Sequence, residues 1–206
     1  MLRMRNDVDY GRWLYEYNRQ LKPAESDLDL RGGRVEKLSR RILVVEDSEP
    51  FRKLVCSVLK TIPNLQIVGE ATDGLEAVHK AQQLKPNLIL LDIGLPSLNG
   101  IEAARRIRKL SPESKILFAS QECSADVVRE ALATGAHGYL VKSDAGNELL
   151  EGVNAVLRGE HFIGKRFEGH DFGDEWDAQP NAGASAQADA PRRDRAESNT
   201  IPARLQ

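Results

Sequence analysis

Short apolar runs alternate with amphipathic stretches between Arg40 and Gly159, which predicts five strand-then-helix repeats around a parallel sheet. The predicted strands are Ile42–Glu46, Leu65–Glu70, Asn87–Asp92, Lys115–Ala119 and His137–Val141. Asp73-Gly-Leu-Glu76 has the spacing of a capping box, so a helix is predicted from Gly74 towards Leu84, and Pro86 blocks its continuation. After Asp144, residues Leu149, Leu150, Val153, Val156 and Leu157 share one helical face, and Gly159 suits the end of that helix. Elements in this order close most naturally as an open, doubly wound sheet, which binds ligands beyond the carboxyl ends of its strands.

The flanks differ from this middle portion. Residues 1–39 form an N-terminal extension in which Tyr10, Trp13, Leu14, Tyr17 and Leu21 recur at helical spacing, predicting a short amphipathic helix before Pro23. The domain itself is assigned to residues 40–164. From Lys165 the chain turns to Ala, Gly, Asp, Ser, Gln and Pro, so residues 165–206 are read as a disordered tail. With 206 residues, 41% hydrophobic and 29% charged, the chain holds one ordinary domain with a real core. Its net charge of -2 lacks the basic excess of nucleic-acid binders, and no direct nucleic-acid contact is expected. No run approaches the ~18 apolar residues of a membrane span, and the opening residues lack a signal peptide's apolar core. The expectation is therefore a cytoplasmic protein without membrane contact. Cys56 and Cys123 are expected as free thiols, and the four histidines show no ligand spacing.

The candidate chemistry lies at the strand ends. Asp92 closes the run Asn87-Leu-Ile-Leu-Leu-Asp92, and Glu46 and Asp47 close Ile42-Leu-Val-Val45, so two strands deliver three carboxylates to one sheet edge. Clustered carboxylates repel unless a cation neutralises them, and an all-oxygen set suits Mg²⁺ or Mn²⁺ better than zinc. With a phosphoryl oxygen also held there, the free oxygen of Asp92 can attack phosphorus in line and form an acyl phosphate. The Lys142 ammonium and the Ser120 hydroxyl, at two further strand ends, would meet the charge on the phosphoryl oxygens. A lone strand-end Asp more often caps the following loop. The coincidence of Glu46, Asp47, Ser120 and Lys142 argues against that plainer role.

The chain resembles the receiver domain of two-component response regulators. The matching segments are Val45-Glu46-Asp47, Leu91-Asp92-Ile-Gly-Leu-Pro96 followed by Asn99-Gly100, Phe118-Ala-Ser120, and Gly135-Ala-His-Gly-Tyr139-Leu-Val-Lys142. Four motifs in the right order and at the right separations make the resemblance specific, and it extends from about Arg40 to Gly164. It implies a flavodoxin-like fold of five parallel strands in the order 2-1-3-4-5. It further implies phosphorylation of Asp92 by a histidine kinase or phosphotransfer protein, and Mg²⁺ held by Glu46, Asp47, Asp92 and the Gly94 carbonyl. Ser120 and Tyr139 are implied as switch residues that alter the surface of the fourth helix, fifth strand and fifth helix. The segment Tyr139-Leu-Val-Lys142 is most similar to receivers that precede a LuxR-type helix-turn-helix.

Three departures stand out. Gln121 follows Ser120 where a small residue is common, and there it could cover the phosphate and slow attack by water. Ser143 follows Lys142 where the family commonly has a cis-proline, so a trans bond and a different loop are expected. From His161 to Gln206 there is neither a pair of amphipathic helices nor a basic recognition stretch, so no helix-turn-helix is expected. The leading expectation is a phosphorylatable switch, not an enzyme beyond its own phosphorylation and dephosphorylation, whose output is a contact with a downstream protein or a phosphorylation-dependent homodimer. One alternative is the receiver fragment of a longer transcriptional regulator. Another is a haloacid-dehalogenase-type phosphohydrolase, which needs a second Asp where Gly94 stands.

Overall fold

The computed structural model describes residues 39–173. The helix expected over Tyr10 to Leu21, and the tail beyond residue 173, lie outside the described residues. In chain order the elements are β1 (Arg40–Val45), α1 (Glu49–Lys60), β2 (Leu65–Ala71), α2 (Gly74–Leu84), β3 (Leu88–Leu91), α3 (Gly100–Leu110), β4 (Lys115–Ser120), α4 (Ala125–Leu132), β5 (Gly138–Val141), α5 (Ala145–Arg158) and β6 (Phe162–Ile163). Short 3₁₀ turns over Lys142–Asp144 and Lys165–Phe167 follow β5 and β6.

All paired strands run parallel, in the order β2-β1-β3-β4-β5-β6. The first five have the flavodoxin-like order 2-1-3-4-5. The central strands are buried on both faces, as helices on both sides require. Leu43, Val45, Ile89, Leu91, Ile116 and Phe118 pack towards α2, α3 and α4, whereas Ile42, Val44, Leu88, Leu90 and Leu117 pack towards α1 and α5.

The helix ends follow local chemistry. Asp73 caps α2 by accepting from the amides of Leu75 and Glu76, 2.8 and 2.9 Å away. Glu76 reaches back one residue further than a standard capping box, to the amide of Thr72 at 2.9 Å. Gly159 ends α5 at φ 94°, a left-handed conformation that glycine adopts without a Cβ penalty. Both cysteines are free, Cys56 buried and Cys123 exposed. Every described peptide bond is trans, including the one joining Lys142 to Ser143.

Two details add to the sequence reading. The sheet has a sixth strand, β6, whose anchoring amide Phe162 N donates to His137 O at 3.0 Å while Gly164 N donates to Tyr139 O at 2.9 Å. A two-residue strand carries no periodic signal, so it was not predicted. The described residues also run from 164 on to 173. Phe167 and Phe172 are each only 3% exposed and join the core on the α4 side of the sheet. Two aromatics spaced through polar sequence are too sparse to register as a core-forming pattern, yet each buries enough surface to hold a short segment down.

Candidate functional site

Strand register places the candidate residues together. Val45 lies opposite Leu91, Leu91 opposite Phe118, and Ser120 opposite Val141. Glu46 and Asp47 therefore leave β1, Asp92 leaves β3, Ser120 ends β4 and Lys142 leaves β5 at one edge of the sheet. The polar residues begin where the apolar strands stop, so each strand is fixed by its core side chains and presents chemistry only at its tip.

Asp92 is 5% exposed and held on both oxygens. Its Oδ1 accepts from the amide of Ile93 at 2.7 Å, and its Oδ2 pairs with Lys142 Nζ at 2.8 Å. The same ammonium straddles Glu46, 2.8 Å from Oε1 and 2.7 Å from Oε2. Lys142 thus joins two buried carboxylates, its head also lying 5.1 Å from the centre of the Phe51 ring. Burial pushes the Glu46 carboxyl above its ordinary range, and the Lys142 contact partly offsets this.

Asp47 is exposed beside this pair, and Glu46, Asp47 and Asp92 can each offer one oxygen with all three within 4.8 Å of one another. An all-oxygen set of two buried acids and one open to solvent fits a hard divalent cation that retains water. Gly94 lies next to them, since a Cβ on it would sit 3.7 Å from Asp92 Oδ2.

Supporting contacts come from further residues, of which only Gly100 stands in a quoted motif. Arg52 Nη1 donates to the Glu46 carbonyl at 2.8 Å, and its Nε pairs with Glu70 at 3.3 Å, bracing the acidic loop against β2. Ser48 N donates to Glu46 Oε1 at 3.0 Å. Gly100, at the start of α3, approaches so closely that a Cβ would lie 1.9 Å from the Asp92 carbonyl oxygen. Arg52 and Phe51 follow the acidic pair within one helical turn, which is the only hint the sequence offers of their part.

Ser120 is 2% exposed, and its Oγ accepts from Glu122 N at 3.3 Å. Tyr139 is fully buried, and its hydroxyl donates to Glu122 O at 2.9 Å, so both residues hold the loop that follows β4. Burial raises the Tyr139 phenol well above its ordinary range. Gln121 stands exposed on this loop. The structure therefore gathers Glu46, Asp47 and Asp92 around one point, with Lys142 paired to Glu46 and Asp92, while residue 122 joins Ser120 and Tyr139 on the loop after β4.

Comparison with known proteins gives a consistent picture. The sequence profile of the response regulator receiver domain matches residues 42–154. The chain is 34% identical over 121 residues to the chemotaxis protein CheY of Thermotoga maritima, covering 59% of this chain and all of that protein. It is 36% identical over 124 residues to the response regulator GacA of Pseudomonas protegens, covering 60% of this chain but 58% of GacA. The chain thus spans under two thirds of that longer regulator. Among solved structures, the response regulator domain of Thermotoga maritima CheB superposes with a TM-score of 0.54 at 36% identity, covering 57% of this chain and 96% of that one. The signal receiver domain of a NarL-type regulator from Mycobacterium tuberculosis gives 0.57 at 29% identity, covering 59% and 98%.

Proposed function

The chain belongs to the response regulator receiver family, and from that premise we propose that it accepts a phosphoryl group on Asp92 and signals by the change this makes at its surface. The observation that carries the proposal is the ammonium of Lys142 set between the buried carboxylates of Asp92 and Glu46, at 2.8 and 2.7 Å. Two buried acids bridged by one lysine, with Asp47 adjoining, leave an excess of negative charge that a divalent cation would balance. Glu46, Asp47 and Asp92, with the Gly94 carbonyl, would hold Mg²⁺ or Mn²⁺, which when bound neutralises charge on phosphoryl oxygens.

The remaining steps fall to the protein's own groups. Lys142 and the Ile93 amide fix the plane of the Asp92 carboxylate, so little orientation is left to find when the donor arrives. An oxygen of Asp92 attacks phosphorus, the bond from phosphorus to the donor's leaving nitrogen or oxygen breaks, and the leaving group departs with the electron pair. Lys142 then faces the phosphoryl group as a compact positive charge, and the Ser120 hydroxyl is the second donor. Attack by water on phosphorus later releases inorganic phosphate and restores the carboxylate. Gln121, on the exposed rim, is suited to hinder that water.

The donor would be a histidine kinase or a phosphotransfer protein, working in the cytoplasm, and the output a phosphorylation-dependent protein contact. No helix among the described residues is long and apolar enough to cross a membrane. A small-molecule donor tests the proposal. Incubation with acetyl phosphate and Mg²⁺ should add the mass of one phosphoryl group, and a chelator should suppress the addition. Equal labelling with and without the divalent ion would contradict the roles given to Glu46 and Asp47.

A further inference from the structure

Residues 162–172 form a strap across one end of the molecule, beyond the last residue of the family match at 154. It is fastened at four points. β6 adds to the edge of β5 through the amides of Phe162 and Gly164. The turn that follows is pinned to α5 by Lys165 N, which donates to the buried Glu148 Oε1 at 3.1 Å. Phe167 packs edge-on against the Tyr139 ring, with centroids 5.9 Å apart, and Phe172 packs on Phe167 at 6.2 Å. Arg166 donates from Nε to Asp144 Oδ2 at 2.9 Å and from Nη2 to Asp144 Oδ1 at 3.1 Å and Ser143 Oγ at 3.3 Å.

Two of these fastenings reach the loops that carry the site's donors. Tyr139, roofed by Phe167, holds the carbonyl of Glu122, whose amide in turn holds Ser120 Oγ. Ser143 and Asp144, gripped by Arg166, are the residues directly after Lys142. The strap therefore braces the loops that carry the hydroxyl and the ammonium. Bracing of this kind lowers the ordering that binding a phosphoryl group would otherwise demand. Any such gain must be reciprocal: if the docked strap favours the loaded site, loading must favour the docked strap.

We infer that the strap is a cis-acting clamp linked to the phosphorylation site, with Phe167 and Arg166 as positioning residues for the donors Ser120 and Lys142. The inference rests on Asp92 as the phosphoacceptor. It is tested by hydrogen exchange at the Phe162 and Gly164 amides of the full chain, in Mg²⁺ alone and in Mg²⁺ with beryllofluoride as the phosphoryl stand-in. Loading should slow both amides by about fivefold, and Phe167→Ala and Arg166→Ala should each weaken beryllofluoride loading by about fivefold while leaving the affinity for Mg²⁺ alone unchanged. Exchange that stays constant or quickens on loading would overturn the linkage, as would strap variants that load like the parent chain. Arg166 is half-exposed, so its variant keeps the test decisive if loss of Phe167 unfolds the protein. A parent chain that does not load at all overturns Asp92 as acceptor and the linkage with it, whereas loading without a strap response overturns the linkage alone.

Discussion

At the scale of single residues, the site is a balance of charge held in little space. Lys142 has a 9% exposed side chain and is shared by two carboxylates, so its removal leaves Glu46 and Asp92 buried without a counter-charge. Lys142→Ala should lose about 3 kcal/mol in urea unfolding, and added Mg²⁺ should restore part of the loss. An unchanged midpoint would show that solvent reaches these acids more freely than their burial indicates. Gly100 is constrained by contact instead of charge. A methyl group there would meet the Asp92 carbonyl, so Gly100→Ala should cost about 1–3 kcal/mol and impair phosphoryl uptake together, read by thermal unfolding and by intact mass. Asp92, Glu46, Asp47, Ser120 and Lys142 were legible in the sequence because each interrupts an apolar run. Gly100 was legible only as part of a motif, and Arg52 only after the fold brought it under the acidic loop.

At the scale of elements, β5 illustrates how the strands combine structural and functional demands. Its residues Tyr139 and Val141 pack on one face and Leu140 on the other, and Lys142 emerges at its end. At its start, His137 accepts from Ile116 N at 3.5 Å, and burial, with Arg108 nearby, pushes the imidazole down to about 4. The sign follows from the shift. Between pH 6.5 and about 4 the unfolded chain binds a proton at His137 that the folded chain does not, so this residue's contribution to stability falls as pH falls through that window. His137→Gln should therefore show a smaller loss of urea midpoint between pH 7 and pH 5 than the parent chain. A parallel loss in both proteins would contradict this. The central strands β1, β3 and β4 were legible because four consecutive apolar residues bounded by turn residues admit few other fates. β6 was not, since its pairing comes from backbone amides meeting the free carbonyls of β5, and backbone groups are the same in every sequence.

At the scale of the whole molecule, the described fold continues to residue 173, well beyond residue 154 where the family match stops. The extra length packs on Tyr139 and pairs two residues with the outer side of β5, so that the short β6 becomes the edge strand. The composition from Lys165 onward read as tail because most of its residues are polar, yet Phe167 and Phe172 are buried. The similarity covers 60% of this chain against GacA and 59% against the NarL-type receiver domain. All of this rests on Asp92 as the acceptor. The most direct test is treatment with acetyl phosphate and Mg²⁺, followed by intact-mass measurement of the parent chain and of Asp92→Asn. The parent should gain one phosphoryl group that hydroxylamine removes, and the variant should gain none; an adduct of equal yield on the variant would contradict the account.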